Sequence, residues 1–533
     1  MLLRSLKSQI QKYERIKTLM VNQELEKLLA TLDNDLPRSA LFKNKVPALA
    51  KAFDAEQMKQ SLQAALFDEN DDRYSIVKCV PGKALYLNDH VINMQFKLTI
   101  QDKASNETTE TMVNARLFQE LDACKTYLDQ ILEPIARRME GRPEIQPFAR
   151  PVAMVEPLSM TLSVFPIDGM IPTLVDTTDP KTVAGILSKT LPDAISGEFA
   201  IENVQLLLAH YGRYKRCVLR YSVDGKNTAT QSPQNETVYG KIDADGLGSQ
   251  IGPIIAALRV ALQKPDLLYR FRVPRSLGYL PDLQLLLMEA LPGKPFFKPL
   301  LKAWIENNNH QTGANESLPH EEDARLDKAI QTCALIAATL HSSDIKLGRQ
   351  TTLEMQVAKL QESADVISQV YPELGAQINS WIQQTVDFAK AYPAMPLCFS
   401  HGDFTYTQLI FDGKEGGLVD FDTMCQAEPA QDLGHYLAYQ RLNIIKDQDP
   451  NAPFAPEAIE HLCALFLDTY IEVSKAWIPD EAQLRGRVAI YELISLIRLT
   501  IHSWEKMKGS RLKQTIPLLE ERIEWQKQIS QSV

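Results

Sequence analysis

A pattern that recurs about 125 residues further along most constrains the fold of this chain of 533 residues. Three pairs of segments match at nearly the same offset: 53–68 with 178–193, 111–118 with 236–243, and 163–169 with 289–295. In the first pair, Asp54 and Leu62 stand opposite Asp179 and Leu187. Such a period predicts a duplicated module. The alternative is two modules of similar size that share a pattern without duplication.

The local patterns predict an α+β fold. Segments rich in β-branched and aromatic residues predict strands at 217–223 and 236–242, with a polar turn at 224–235 between them. A helix is expected at 249–263, and a buried strand that ends in Pro-Gly at 283–293. We expect four parts: an N-terminal helical segment at 1–50, a first module at 51–175, a second module at 176–293 and a mostly helical region at 294–533.

Charge and composition exclude several classes of protein. The net charge of −10 and the lack of a Lys/Arg cluster argue against nucleic-acid binding. No apolar run reaches the roughly 18 residues that a membrane span needs. Segment 1–32 has spread charges and no apolar signal-peptide core, which predicts an exposed or docking helix. The seven cysteines are scattered without a Cys-x-x-Cys pair, so we expect neither a zinc site nor disulfides. We expect a reduced, cytoplasmic setting. The oligomeric state is left open.

The passage "SHGDFTYTQLIFDGKEGGLVDFD" at 400–422 carries the strongest chemical signal. Its apolar triplet at 409–411, the Gly-rich turn and the apolar pair at 418–419 predict a β-hairpin. The hairpin would bring Gln408 near Asp420, with Asp403 on the loop just before.

Two carboxylates and an amide oxygen that converge in this way suit Mg²⁺, which leaves its remaining coordination sites to water and phosphate. A carboxylate beside such a site orients and deprotonates an attacking hydroxyl, as phosphoryl transfer requires. The structural alternative is that Asp403 caps a turn, Asp420 ends a strand and Gln408 lies on the surface.

The residues His401-Gly402-Asp403, then Gln408, then "VDFD" at 419–422, then "EPAQDLGHYLA" at 428–438 resemble the aminoglycoside phosphotransferase and choline kinase superfamily. The resemblance covers residues 176–533. It implies a bilobal protein-kinase-like fold with a nucleotide-binding lobe at 176–293 and a helical C-lobe at 294–533. It also implies ATP and Mg²⁺ as cofactors and a small hydroxylated molecule as substrate, with neither nucleic acid nor membrane as partner.

Carried over residue by residue, the resemblance makes Asp403 the catalytic base and Gln408 and Asp420 the Mg²⁺ ligands. Asp422 is a weaker candidate for assisting the metal. His401, Asp432 and His341 also match the family pattern. For all three we favour a structural role, with Asp432 tying the loop to the next helix.

One departure concerns Gln408, because most members of the superfamily carry Asn there. The extra methylene displaces the amide by about 1.5 Å, a single-bond length. A subset that includes the bacterial maltokinases is similar in using Gln and in carrying an extra module ahead of the nucleotide lobe. This favours a sugar as the acceptor and makes 51–175 the extra module, a degenerate copy of the N-lobe.

In the second module, Lys241 in "VYGKI" resembles the kinase lysine that contacts ATP phosphates. "LMEALPG" resembles the linker that holds adenine through backbone groups, with Met288, Glu289 and Leu291 as candidates. No Gly-x-Gly-x-x-Gly is present, and the helix at 249–263 offers no acid to pair with Lys241. Two acids near the lysine, Asp243 and Asp245, are weak substitutes.

In the first module Arg116 stands where Lys241 stands in the second, and no helical lobe with an Asp-Gln-Asp set follows it. A packing, capping or substrate-closing role is therefore expected for 51–175 rather than ATP binding. The polar stretch at 306–323 is expected either to line the substrate pocket or to be a solvated loop.

The leading hypothesis is a small-molecule kinase. A pseudokinase or scaffold is the first rival, because of Gln408, the missing helix acid and the extra module. A protein kinase is disfavoured, since only 11 residues (421–431) separate Asp420 from Asp432, too few for a peptide-docking activation segment.

Overall fold

The computed structural model describes residues 48–87, 91–212, 215–309, 321–448 and 456–532. The helix predicted at 1–32 lies outside these ranges, as does most of the polar stretch predicted at 306–323. The described residues form two five-stranded sheets followed by a region of helices, so the predicted α+β class is confirmed.

The first module is an antiparallel sheet in the order β1-β2-β3-β5-β4. Helix α2 precedes it and begins at Asp54, whose carboxylate accepts hydrogen bonds from the backbone N–H groups of Glu56 and Gln57. This cap satisfies donors that a helix N-terminus leaves free. The elements are α1 (Ala48–Ala52), α2 (Ala55–Leu66), β1 (Tyr74–Tyr86), β2 (Ile92–Asp102), β3 (Glu107–Leu117), α3 (Leu121–Tyr127), α4 (Glu133–Arg137), β4 (Val152–Val155) and β5 (Met160–Val164).

The second module repeats the arrangement, with a sheet in the order β6-β7-β8-β10-β9. Helix α6 precedes it and begins at Asp179, which accepts from the backbone N–H of Thr182, 125 positions after the first cap. The elements are α5 (Leu174–Thr177), α6 (Pro180–Leu187), α7 (Pro192–Ile195), β6 (Phe199–Gly212), β7 (Arg216–Asn227), β8 (Pro233–Asp243), α8 (Gly248–Ala261), β9 (Ser276–Leu280) and β10 (Leu285–Glu289).

The register of the two sheets also corresponds. Arg116 in β3 and Lys241 in β8 each have a partner residue in both neighbouring strands. Arg116 stands opposite Asn93 in β2 and Thr161 in β5. Lys241 stands opposite Val218 in β7 and Leu286 in β10. Every one of these positions differs from its counterpart by 125. The predicted likeness of the first module to the second is confirmed down to the pairing of single residues.

The strands of the second module extend further into the turn than predicted. The predicted turn at 224–235 shrinks to 228–232, because β7 continues to Asn227 and β8 begins at Pro233. Here the backbone of polar residues pairs across the hairpin, from Asp224↔Asn235 to Lys226↔Pro233. The polar residues on either side of the turn therefore belong to the exposed ends of β7 and β8, and they do not show where the strands end.

The helical region surrounds two small sheets of three short strands each, and these strands carry the candidate site. Its elements are β11 (Lys294–Pro295), α9 (Phe297–Asn309), α10 (Glu321–His341), β12 (Arg349–Gln350), α11 (Leu353–Val370), α12 (Pro372–Ala389), β13 (Cys398–Ser400), β14 (Leu409–Phe411), β15 (Gly416–Leu418), β16 (Cys425–Ala427), α13 (Pro429–Asp447), α14 (Pro456–Ser474), α15 (Glu481–Glu505) and α16 (Gly509–Ser532). Helices α13 and α15 lie in the middle of this region and are buried over most of their length.

The first module contacts the rest of the chain on two sides. Asn114 donates to the hydroxyl of Tyr211 in β6, and that hydroxyl also bonds to Asp168. On the other side, the ring of Tyr86 in β1 lies 5.5 Å from the ring of Trp504 in α15. The extra module therefore contacts both the second sheet and the helical region.

No helix in the described part of the chain has the length and apolar character needed to cross a membrane. All seven cysteines are free.

Candidate active site

The loop that carries Asp403 is fixed by a buried carboxylate. Asp432, in the first turn of α13, accepts hydrogen bonds from the backbone N–H groups of His401 (2.7 Å) and Gly402 (2.8 Å). Its other contact is His341, whose Nε2 lies 3.2 Å from Oδ2. Burial opposes the charge of Asp432, but His341 and the backbone donor at His401 outweigh it and lower the pKa of this carboxyl. The expected tie between loop and helix is therefore present.

Gly402 is required by this loop for two reasons. Its φ of +81° lies in the left-handed region, and a Cβ there would stand 2.2 Å from the carbonyl oxygen of Thr423. The side chain of His401 supports the same turn, because its Nε2 lies 3.2 Å from the carbonyl oxygen of Val419. Together these contacts hold Asp403 at the end of the turn.

Asp403 has a half-buried carboxylate, 38 % exposed, that faces two cationic or polar side chains. His435 Nε2 lies 2.9 Å from Oδ1, and Arg498 Nη2 lies 3.6 Å from the same oxygen. Burial opposes the charge, but the hydrogen bond from His435 and the charge of Arg498 prevail and place the pKa of Asp403 far below its usual range. The carboxylate is therefore ionised at physiological pH.

The predicted hairpin is confirmed, with Leu409 opposite Leu418 in β14 and β15. At its open end the backbone N–H of Val419 donates to the carbonyl of Gln408 at 3.0 Å, so Gln408 and Asp420 emerge from adjacent positions. Asp420, two residues after the end of β15, has a φ of +66°, which is uncommon for a residue with a side chain.

Lys241 contacts Asp420 and Asp422, which brings the second sheet onto this hairpin end. Its Nζ lies 3.0 Å from Asp420 Oδ1 and also pairs with Asp422. Asp422 is 7 % exposed and forms a second ion pair, at 2.9 Å, with Arg216 of β7. The pKa of Asp420 is lowered, because Lys241 outweighs the effect of burial.

The partner of Lys241 is thus neither of the two weak candidates from the sequence. Asp243 pairs with Arg216, and Asp245 pairs with Lys215. The carboxylate missing from α8 is supplied by Asp422, across the junction between sheet and helical region. A signal for it was present in the sequence as the second acid of "DFD".

The residues near the hairpin end fit a magnesium ion bound together with a phosphate. Asp420 contributes a charged, 44 % exposed carboxylate, and the side chain of Gln408 makes no hydrogen bond to any described residue. Two such oxygen donors suit Mg²⁺, which takes further ligands from water and phosphate. Among the described residues, no group of three or more His, Cys, Asp or Glu side chains forms a separate metal site.

The linker after β10 is where the sequence resemblance placed adenine binding. The backbone N–H of Glu289 is used by the carbonyl of Arg275, and that of Ala290 by the carbonyl of Thr237. The side chain of Glu289 pairs with Arg259 and Arg275, which anchors α8 to the linker. Met288 and Leu291 are partly buried.

Two acids in the turn of the hairpin share one cationic partner. Asp412 and Glu415, in the turn between β14 and β15, both pair with Arg272, at 3.0 and 2.6 Å. They anchor the segment ahead of β9 to the hairpin, so the turn is part of the junction between the two lobes.

The first module has no comparable site at the corresponding position. Arg116 lies over the ring of Tyr127 at 4.8 Å and near Phe118, and its buried Nε has no hydrogen-bond partner. The cavity beside it measures about 20 Å³, enough for one water molecule and far too small for a nucleotide.

Comparison with known proteins finds a matching family model for the part of the chain that carries Asp403, Gln408 and Asp420. Residues 254–455 match the model of the phosphotransferase enzyme family, APH. No match was found among curated proteins.

Several solved structures are similar in fold at low sequence identity. A choline kinase from Cryptosporidium parvum Iowa II is 14% identical over 66% of this chain and 96% of that one, with a TM-score of 0.42. The APH(2")-IIia complex with GDP and kanamycin is 13% identical over 64% and 97%, at 0.40. A choline/ethanolamine kinase family protein from Mesorhizobium loti is 12% identical over 65% and 99%, at 0.38. Because each TM-score lies below 0.5, no residue's role is transferred from these structures.

The matched segment includes Asp403, Gln408 and Asp420, the residues on which the resemblance was first based. The resemblance to phosphotransferases predicted from the His-Gly-Asp passage is confirmed for residues 254–455, which match the model of this family.

Proposed function

We propose that this protein is an ATP- and Mg²⁺-dependent kinase that phosphorylates a hydroxyl group of a small molecule. One observation carries the proposal: Lys241 of the second sheet pairs with Asp420, at the end of the hairpin whose preceding loop presents the ionised Asp403. One junction between the lobes therefore combines three groups that phosphoryl transfer needs. Lys241 is a cation for phosphate, Asp420 is a carboxylate for the metal ion, and Asp403 is a carboxylate for the acceptor hydroxyl.

In this mechanism the acceptor hydroxyl donates a hydrogen bond to Asp403, which orients it for in-line attack and takes its proton as the bond to phosphorus forms. Lys241 holds the phosphates of ATP. Gln408 and Asp420 would hold Mg²⁺, which supplies neutralisation of phosphate charge when bound. The linker backbone at Met288, Glu289 and Leu291 would hold adenine. The N–H of Glu289 already donates to the carbonyl of Arg275, whereas that of Leu291 makes no backbone hydrogen bond to a described residue, so Leu291 is the better-placed donor of the two.

The very low pKa of Asp403 bears on its role. A carboxylate this acidic keeps a proton poorly, so its main contribution is to orient the hydroxyl, with proton transfer late in the reaction. This agrees with the loose transition state of phosphoryl transfer, in which the nucleophile needs little activation.

We further propose a sugar as the acceptor, because Gln408 is shared with the subset that includes maltokinases. We propose a cytoplasmic setting on the basis of the free cysteines.

The test compares the wild type with Asp403→Asn, which keeps the size of the side chain. We expect Mg²⁺ with ATP to raise the melting temperature of both proteins, and ADP release to be lost in the variant. The acceptor screen covers sugars, amino alcohols and aminoglycosides. A wild type that shows no thermal shift with Mg²⁺ and ATP would contradict the proposal.

A nucleotide-binding scaffold is the second candidate, and one contact favours it. Lys241 pairs with both acids of "DFD", so the proposed metal ligand Asp420 already has a cationic partner. A thermal shift with ATP, unchanged by Mg²⁺ and without ADP release for any acceptor, would support this candidate.

A further inference from the structure

Two residues that the mechanism above does not use make contact with the proposed base. His435 lies in α13 with its side chain 1 % exposed, and Arg498 lies in α15 with its side chain 29 % exposed. His435 Nε2 lies 2.9 Å from Asp403 Oδ1, and Arg498 Nη2 lies 2.7 Å from His435 Nδ1. The three side chains form a row that leads from the base into the helical region.

The partners determine where the imidazole carries its proton. Asp403 is ionised and only accepts, so the 2.9 Å contact requires N–H at His435 Nε2. A guanidinium only donates, so Nδ1, at 2.7 Å from Arg498, must accept. The same guanidinium nitrogen also lies 3.2 Å from Nε2. This longer contact is compatible with a proton on Nε2, because the N–H of Nε2 is directed at Asp403. The imidazole is therefore neutral, with its proton on Nε2.

The other groups around His435 agree with a neutral ring. Ser495 Oγ lies 3.2 Å from Nδ1, and the ring of Tyr439 lies 4.6 Å from the imidazole. Burial and the charge of Arg498 lower the pKa of His435, against the opposing effect of Asp403 and Asp432. The lowering prevails, so the ring stays neutral across physiological pH.

We propose that His435 and Arg498 are positioning residues for phosphoryl transfer, in which Arg498 holds the imidazole in its Nε2–H form and His435 holds Oδ1 of Asp403. Among the described residues, Oδ2 accepts no hydrogen bond, which leaves that oxygen to the acceptor hydroxyl. The inference rests on the proposed function. It adds the reason why the carboxylate presents one defined oxygen to the acceptor.

The charge of Arg498 predicts what its removal does. Without the guanidinium, Nδ1 loses its cationic partner and keeps only Ser495 Oγ, a hydroxyl that can also accept a hydrogen bond from a protonated ring. The charge that disfavours protonation is gone, so the pKa of His435 rises. A cationic imidazole then pairs with Asp403 and weakens the carboxylate as an acceptor for the substrate proton. Activity should fall as the pH falls through the new pKa.

The kinetic test is Arg498→Met, with Arg485→Met as the matched control. Arg485 lies on the same helix and pairs with Asp468 and Glu481, away from the row. With the acceptor that gives the fastest ADP release in the screen, Arg498→Met should lower kcat about 10- to 100-fold, the range expected for a lost hydrogen bond to a charged group. The KM for ATP should stay near that of the wild type. A new acidic limb should appear in the pH profile of kcat, and the control should show neither change.

A second pair of variants separates positioning from a general loss of structure. In His435→Gln the amide Nε2 still donates to Asp403 but does not titrate. We expect this variant to keep most of its kcat, and Arg498→Met added to it to produce no acidic limb. An acidic limb in the double variant would overturn the proposal.

A spectroscopic measurement reads the proton position without any acceptor. In protein labelled with ¹⁵N-histidine, the signals lost in His435→Gln identify the ring nitrogens of His435. At pH 7 the wild type should show the neutral Nε2–H form, and Arg498→Met should shift toward the cation as the pH falls. A cation or an Nδ1–H form in the wild type would overturn the proposal. Failure of the proposed function would appear separately, as no ADP release from Mg²⁺ and ATP with any acceptor.

Discussion

Arg116 and Lys241 occupy the same position in two sheets of the same strand order, and they have very different surroundings. Arg116 lies over aromatic rings beside a cavity of about 20 Å³. Lys241 pairs with two carboxylates that come from outside its sheet. The comparison shows that a strand with a cation at this register is not a site by itself. In the proposed function the second sheet forms part of a site, because the helical region supplies two acids that pair with Lys241.

The largest effect is expected from removing the two cations in turn. Lys241→Met should lower kcat/KM for ATP about 100- to 1,000-fold, the loss typical of one group that stabilises developing charge. Arg116→Met should leave kcat/KM within about twofold, because its side chain packs on rings rather than on the proposed nucleotide site. Steady-state ADP release measures both. A comparable loss in Arg116→Met would mean that the first module also contributes to the reaction.

A smaller effect is expected at the acid that distinguishes the two positions. Asp422→Asn keeps the size of the side chain but weakens the pairs with Lys241 and Arg216. Since Asp420 still pairs with Lys241, we expect about a tenfold loss of kcat/KM for ATP, equivalent to about 1.4 kcal/mol. Asp245→Asn, which removes only the exposed pair with Lys215, is the matched control. If both variants behave alike, Asp422 does not position the lysine.

The smallest effect is expected in the pH dependence of stability, which should have opposite signs for Asp432 in the helical region and Asp168 in the first module. Asp432 has a lowered pKa, so its stabilising contribution is present above the unfolded pKa of about 3.9 and is lost as the pH falls through the lower folded value. Asp168 in the first module has a raised pKa, because burial outweighs its bonds to Tyr211 and the backbone. Its contribution is greatest below about pH 3.9 and is lost as the pH rises through the folded value.

Asn substitutions test this difference in sign. Asp432→Asn should cost more free energy of unfolding at pH 7 than at pH 2.5, by about 1 kcal/mol or more, because the contribution of a carboxyl with a lowered pKa is lost mainly below pH 4. Asp168→Asn should change in the opposite direction, and become relatively less destabilising as the pH rises. Denaturant unfolding at the two pH values measures both differences. Parallel changes in the two variants would show that the sign does not differ between the modules.

The sequence was informative where the pattern was local or periodic. The repeat at 125 residues predicted the second copy of the sheet, and the Gly-rich turn predicted the hairpin that places Gln408 beside Asp420. Asp432 was assigned to holding the loop from its motif, and the structure shows the two hydrogen bonds that do so.

Contacts between distant segments were not predicted. The pair between Asp422 and Lys241 joins residues 181 positions apart, and that between Arg498 and His435 joins residues 63 apart. Each is decided by how the lobes and helices pack, which no local pattern encodes. The length of the β7–β8 strands was missed for another reason, because polar residues pair well at an exposed hairpin end.

The contact between Tyr86 and Trp504 has a consequence for how the two lobes move. The first module is bonded to the second sheet through Asn114 and Tyr211, and it packs against α15 of the helical region through Tyr86. The three bodies therefore form a ring of contacts, and a ring cannot open like a free hinge. If the second sheet closes onto a nucleotide as the proposed function requires, one of these contacts has to shift, and we therefore expect the extra module to limit how far the two lobes separate.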